Sequence, residues 1–277
     1  MEPFLGDVAI KNRSVTRGVL RSQYKAVLPN VYLPKRAELT LVERAKAAWL
    51  WSGRSGVIAG RTAAGVYLRP DDVASEPIEI ITARRRLPNV IVRNERISID
   101  EVTVRAGLMI TTPARTALDI ARHLPRDEAV MVLDALAAST GLTRDAVWPL
   151  VDRYAGARGI ARAREAVLEM DGGAFCPEET RVRLILSDGG LRPTDTQIRI
   201  VDGQDEIVVA MGWPQWKVAV DCNHAAEQKF PKGAVAKAEV LQRLGWLHIE
   251  VLPTHTKRSI VSRTRAAIWS RLRTPQR

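Results

Sequence analysis

Lys217 to Lys229 reads KVAVDCNHAAEQK, a short apolar run followed at once by an acid, a thiol, a carboxamide and an imidazole. Asp221, Cys222, Asn223, His224 and the nearby Glu227 are residue types that hold a cation or move a proton. Asp205 and Glu206 lie near the same sheet end in sequence. Asp202 and Asp205 also suit a turn, where acids are ordinarily solvated. His224 is one of four histidines, and a single imidazole after a strand is equally explained by a surface hydrogen bond. Cys176 and Cys222 are the two cysteines. Their separation lacks zinc spacing, so buried or half-buried thiols are expected rather than ligands or a disulfide.

Other chemistries lack their motifs. There is no Walker loop, no GxGxxG after a strand, no GxSxG and no HExxH, which removes nucleotide, hydride, serine-hydrolase and zinc-protease readings. Charge is the strongest global signal: 42 Lys and Arg stand against 31 Asp and Glu, a formal +11. Such a balance favours a polyanion, most often nucleic acid, because each cation that meets a phosphate releases counterions. An arginine-rich proteome is the compositional alternative. With 46% hydrophobic residues in 277 the chain buries a real core. Its apolar runs fall far short of the roughly 20 residues that span a bilayer, and MEPFLGDVAIKNRS lacks a secretory h-region, so a cytoplasmic protein without membrane partners is expected.

The elements that must position these residues fall into three blocks. In residues 1–36, SVTRGVLRSQY reads as a short helix with Thr16 as N-cap and Leu20 and Tyr24 on one face. KAVLPNVYLPK then alternates around Pro29-Asn30 as a two-stranded wing. Arg13, Arg17, Arg21 and Lys25 lie along this helix and ribbon, a sensible surface to lay on DNA. In residues 37–170, Thr40 to Glu43 is a capping box, strands are expected at 77–82, 90–93 and 103–106, and Thr112-Pro113 opens the helix ARTALDIARHL. That last start, with Arg115 and Asp119, has the make-up of an anion site at a helix N-terminus; a structural cap is the simpler reading. Further helices are expected at 126–138, 143–154 and 160–168. In residues 174–277 the order is helix, three strands, helix, strand, and a basic final helix that begins Lys257-Arg258. The class is α+β, with an α/β middle region and a C-terminal mixed sheet flanked by helices. Trp51 and Trp269 are the tryptophans that could stack on bases.

GGLRPTDTQI, MGWPQWKVAV and LGWLHIEVL, in this order, resemble the endonuclease-like domain related to very-short-patch-repair nucleases. That domain is a branch of the restriction-endonuclease-like, PD-(D/E)XK fold. In actinobacterial relatives it follows a winged-helix segment of the AbiEi antitoxin type, and VTRGVLRSQYKAVLPNVYLP and ITTPARTALDIAR are similar to that segment and to the helix start after it. The resemblance implies acids at adjacent strand ends that hold Mg²⁺ against a phosphate. Here the DMGW pattern of the family reads AMGW, so Ala210 stands for an aspartate. VAVEYDG followed by a histidine reads VAVDCNHAAEQ. Asp221, with Glu179 on the preceding helix, matches the family's acidic positions, while Asn223, His224 and Glu227 depart from it.

The reading that follows is a DNA-binding protein, antitoxin-like or regulatory, with DNA and a cognate toxin as partners, Arg13, Arg17, Arg21, Lys25, Lys257 and Arg258 as DNA contacts, an inactive nuclease-fold domain and no cofactor. The first alternative is a Mg²⁺-dependent endonuclease with a remodelled site built on Asp221 and Glu179. The second is a protein-interaction module whose basic charge is compositional.

Overall fold

The structure, a computed structural model, describes residues 2–69, 76–84, 86–174, 176–202, 205–222 and 231–273; for residues 202, 205 and 231–236 it describes the backbone alone. The chain is α+β, and it separates into two compact units that are not collinear with the sequence. One comprises residues 1–124 and 139–168, the other residues 125–138 and 169–277. Among the described residues no helix is long and apolar enough to cross a membrane.

The first unit opens with β1 (Phe4–Leu5), α1 (Gly6–Lys11), α2 (Arg17–Gln23), β2 (Tyr24–Leu28) and β3 (Val31–Pro34). Thr16 caps α2 by accepting the Val19 N–H at 3.3 Å, as its sequence position predicts. The helix ends sooner than the apolar spacing suggests: Tyr24 is already extended and begins β2, and its ring takes the edge-to-face contact of Phe4 at 5.1 Å. Here β pairing and an aromatic contact outweigh one more helical residue. The antiparallel ribbon β2–β3 turns through Asn30 at φ 63°, and β1 adds to its other side to give the order β1-β3-β2.

Next come α3 (Leu41–Trp51), β4 (Val57–Ile58), α4 (Gly60–Leu68), β5 (Ile78–Ile81), β6 (Val90–Arg93), β7 (Val102–Arg105), β8 (Leu108–Thr111) and α5 (Pro113–His123). Thr40 and Glu43 form the expected capping box of α3. The strands make a five-stranded sheet, β6-β5-β4-β8-β7, filled by Ile58, Ile80, Leu108 and Ile110, which are buried almost completely. Sequence reasoning passed over β4, α4 and β8. β4 has two residues, and α4 is interrupted by glycine at both Gly60 and Gly65. Gly60 is required: it sits at φ 55°, and a Cβ there would stand 2.3 Å from a Glu79 carboxylate oxygen.

α6 (Arg126–Thr140), α7 (Arg144–Arg153) and α8 (Ile160–Glu169) follow; α7 and α8 belong to the first unit, whereas most of α6 belongs to the second. The second unit continues with α9 (Pro177–Asp188), β9 (Asp195–Asp202), β10 (Asp205–Trp213), β11 (Val218–Cys222), α10 (Pro231–Arg243), β12 (Leu247–Val251) and α11 (Lys257–Arg273). Its sheet runs β12-β11-β10-β9. β9, β10 and β11 pair antiparallel and β11 pairs parallel with β12 across α10, so only the last connection needs a helical crossover. α9 and α11 cover one face through Ile185, Val220, Ile260 and Ile268. α10 covers the other through Leu241 packed on Val209, Ala219 and Ile200. Asp134 ties α6 to α9: its buried carboxylate accepts from the Thr180 hydroxyl at 2.7 Å, Arg183 at 2.8 Å and the Asp171 N–H at 2.7 Å.

The three quoted motifs each do structural work. Gly212 of MGW lies where β10 and β11 approach so closely that a Cβ would meet the Val218 carbonyl at 2.2 Å. Trp213 is buried and its indole N–H donates to the Arg192 carbonyl of GGLRP at 3.1 Å. Gly245 of LGW ends α10 at φ 74°, and the following Trp246 N–H closes back onto Leu241, the usual glycine helix stop.

Candidate functional site

β10 is irregular at Ala210. Val209 packs on the α10 side of the sheet, yet Met211, two residues on, packs on the α9 and α11 side. Alternate residues of a regular strand share a face, so the alternation reverses between them. Across the ladder Gln197 of β9 has φ 48°, with Ile198↔Val209 and Thr196↔Met211 paired on either side. The Ala210 N–H at this kink donates to Asp221 Oδ1 at 2.8 Å.

Asp221 is the fourth residue of β11 and is 7% exposed. Its other oxygen, Oδ2, holds Lys237 Nζ of α10 at 2.8 Å and His248 Nε2 of β12 at 2.9 Å. A carboxylate only accepts, so the imidazole carries its proton on Nε2 in this contact. Burial opposes ionisation, but the His248 hydrogen bond and the Lys237 charge outweigh it and hold the Asp221 carboxyl below its ordinary range.

Glu179, in the first turn of α9, is also buried and accepts a hydrogen bond from the Gln197 carboxamide at 3.0 Å. Each acid is thus bonded to one residue of the kinked ladder, Glu179 to Gln197 and Asp221 to Ala210. Asn223, His224 and Glu227, which the sequence made part of this cluster, lie outside the described residues. Among the described residues no group of three His, Cys, Asp or Glu side chains has the arrangement of a metal site. Lys237 and His248 are the members that sequence reasoning missed. Both are remote in sequence from Asp221, and only the crossover through α10 brings them to it.

Cys222 and Cys176 meet the first turn of α9 from two directions. The Cys222 thiol donates to the Glu178 carbonyl at 3.8 Å, and Cys176 Sγ accepts the Glu179 N–H at 3.4 Å. Burial raises both thiols well above their ordinary range, Cys176 to about 12, which disfavours the thiolate at neutral pH.

The basic residues divide into two kinds. Arg13, Arg17 and Arg21 are exposed around α2 and form no ion pair among the described residues. Lys25 is also exposed, but its ammonium donates to the Ala37 carbonyl at 2.9 Å. Lys257 and Arg258 lie exposed in the first turn of α11, whose opposite stripe, Ile260, Thr264 and Ile268, is buried. Arg115 is of the other kind. Its side chain is fully buried, bonded through Nε to Asp119 at 3.0 Å and through Nη1 to Tyr154 at 2.9 Å and to Glu101. Arg153 joins Glu101 at 2.7 Å from α7, and Arg122 joins Glu95 at 2.8 Å. With Thr112 accepting the Arg115 N–H at 3.3 Å, the start of α5 is a structural cap above a buried ion cluster. Trp51 is buried, and Trp269 is 58% exposed.

Comparison with known proteins places a family match over part of this framework. Residues 59–170 match the family described as the AbiEi antitoxin C-terminal domain, a span that contains ITTPARTALDIAR and the buried cluster around Arg115. Two uncharacterized proteins of Mycobacterium tuberculosis, one from strain CDC 1551 / Oshkosh and one from strain ATCC 25618 / H37Rv, are each 31% identical over 158 residues, 55% of this chain. The chain spans 58% of the length of each relative. No solved structure gives a significant match.

Proposed function

We propose that the chain is a DNA-binding regulatory protein of the antitoxin type that acts in the cytoplasm, with a C-terminal unit of nuclease-like form that does not cut. The observation that carries this reading is the N-terminal arrangement. A short helix exposes Arg17 and Arg21 one turn apart with no acid spent on them among the described residues, and it runs directly into the β2–β3 ribbon in a sheet of order β1-β3-β2. Helix plus ribbon is the form of a winged helix, in which the helix enters a groove and the wing lies along the backbone. Arg13, Lys25, Lys257 and Arg258 are assigned as supporting phosphate contacts. The net charge of +11 fits a polyanionic partner, and the antitoxin-domain match supports a regulatory role, with a cognate toxin as a second partner.

For the C-terminal part, support comes from the order of α9, three antiparallel strands, the crossover helix α10, the parallel strand β12 and α11, the order expected for residues 174–277. Ala210 at the strand kink and nitrogen donors on both acids argue against turnover. Fluorescence anisotropy with duplex DNA carrying the gene's own upstream region, set against an unrelated duplex, tests the assignment. Specific binding without cleavage in Mg²⁺ or Mn²⁺ is expected. No binding to either duplex at low salt overturns the DNA reading, and cleavage that Asp221→Ala abolishes overturns the non-cutting one.

A further inference from the structure

The two acids that could serve a metal are both supplied with nitrogen from within the chain. Asp221 Oδ1 is taken by the Ala210 amide and Oδ2 by two groups at once, Lys237 at 2.8 Å and His248 at 2.9 Å. Glu179 accepts from the Gln197 carboxamide at 3.0 Å. Beside Asp221 in the sheet, Ala210 offers only a methyl group. Mg²⁺ demands near-octahedral oxygen donors at about 2.0–2.1 Å, and a cation bound on Asp221 Oδ2 would enter the space of an ammonium already there. The described residues do not fit the metal that a nuclease of this form would use.

We infer that Lys237 is a built-in counter-ion: its ammonium takes at Asp221 the place of a divalent cation, and it makes the kink of β10 beside the end of β11 a metal-independent cluster. Like charge excludes a metal while the Lys237 ammonium holds Asp221. His248 shares the same oxygen from β12 and the Ala210 amide of β10 takes the other, so the cluster joins four elements, β10, β11, α10 and β12, around one carboxylate. Asp221 then acts as a positioning residue that fastens the Ala210 amide. The comparison with a nuclease rests on the reading proposed above; the pairing of Lys237 with Asp221 does not.

A consequence follows for reactivation. An acid restored at position 210 leaves the Lys237 ammonium on Asp221 Oδ2, so Ala210→Asp alone leaves the site closed to metals. Ala210→Asp with Lys237→Gln opens it. The test uses the full chain and Mn²⁺ as the probe, read by loss of the free-ion electron paramagnetic resonance signal and by thermal melting, neither of which depends on cleavage. The wild type and Ala210→Asp are expected to bind no Mn²⁺ at about 1 mM, and the double variant is expected to bind it and to melt higher in its presence. Saturable binding by the wild type, or equal binding by Ala210→Asp with and without Lys237→Gln, overturns the inference.

Because an acid at a buried position can prevent folding, a second set of variants is independent of it. Lys237→Met, Asp221→Asn and their combination form a cycle in which the two single losses of melting temperature should be strongly non-additive, with Lys237→Arg retaining most of the stability. Additive effects remove the counter-ion role. If the cycle is non-additive but the double variant at 210 and 237 folds and binds no Mn²⁺, the counter-ion stands and the nuclease-like reading fails.

Discussion

Substituting Arg17 and Arg21 with alanine is the most direct probe of the DNA surface. The two side chains are exposed and lie one helical turn apart on α2, about 6 Å along its axis, and neither forms an ion pair among the described residues. Each phosphate contact contributes about −0.9 to the slope of log affinity against log salt. Losing two reduces the magnitude of that slope by about 1.8, so the fall in affinity between about 50 and 200 mM salt becomes roughly twelvefold smaller than in the wild type. The fold should be indifferent, since exposed substitutions away from special features change stability by less than about 0.5 kcal/mol. A salt titration by fluorescence anisotropy on a fixed duplex reads the slope, and thermal melting checks the fold. A variant that keeps both the wild-type affinity and the wild-type slope refutes the placement of α2 on DNA. If instead Lys257→Gln with Arg258→Gln lowers the slope while the α2 pair does not, the contact surface lies on α11.

Three further outcomes are expected. Arg115→Met removes the buried guanidinium shared by Glu101 and Asp119, leaving Glu101 with Arg153 and Asp119 with Arg122 at 3.7 Å, and should cost about 3–5 kcal/mol, roughly 10 °C in the melting of the unit that contains them; calorimetry showing a loss under about 1 kcal/mol would contradict the cluster's role. Glu95 is drawn down to about 2 by the hydrogen bond from His123 and by Arg122, against the opposing effect of burial. A depressed carboxyl stabilises above its unfolded value and loses that contribution as pH falls through its folded one. Melting temperature should therefore decline between about pH 4.5 and 2, and Glu95→Gln should flatten that limb. Lastly, Cys176 and Cys222, both raised by burial, should react with Ellman's reagent at pH 8 far more slowly in the native protein than in urea; rapid native labelling of either would show that its thiol is accessible and ionised.

Much of the fold was readable because its signals are local. Caps such as Thr16, Thr40 and Thr112 satisfy backbone groups three residues away, so sequence spacing is enough to find them. The final helix begins where expected, at Lys257, because one apolar stripe repeats every turn and a proline-containing turn precedes it. What escaped was short or glycine-interrupted: β4 has two residues, α4 contains Gly60 and Gly65, and β8 depends on pairing with strands distant in the chain. Tyr24 was misplaced by one element because a contact with Phe4, twenty residues earlier, decides its conformation.

At the candidate site the division is sharper. The sequence determined that Ala210 cannot ligate a cation and that Asp221 keeps an acid, since these follow from residue chemistry alone. It determined the basic charge as well, but not which cations are free: Arg17 and Arg115 look alike in the chain, yet one is exposed and the other is sealed among carboxylates. Only the tertiary structure decided that Asp221 is engaged by Lys237 and His248, 16 and 27 residues further on. A crossover helix and a parallel strand bring them together, and where a carboxylate's partners come from long-range packing, no spacing in the sequence records them.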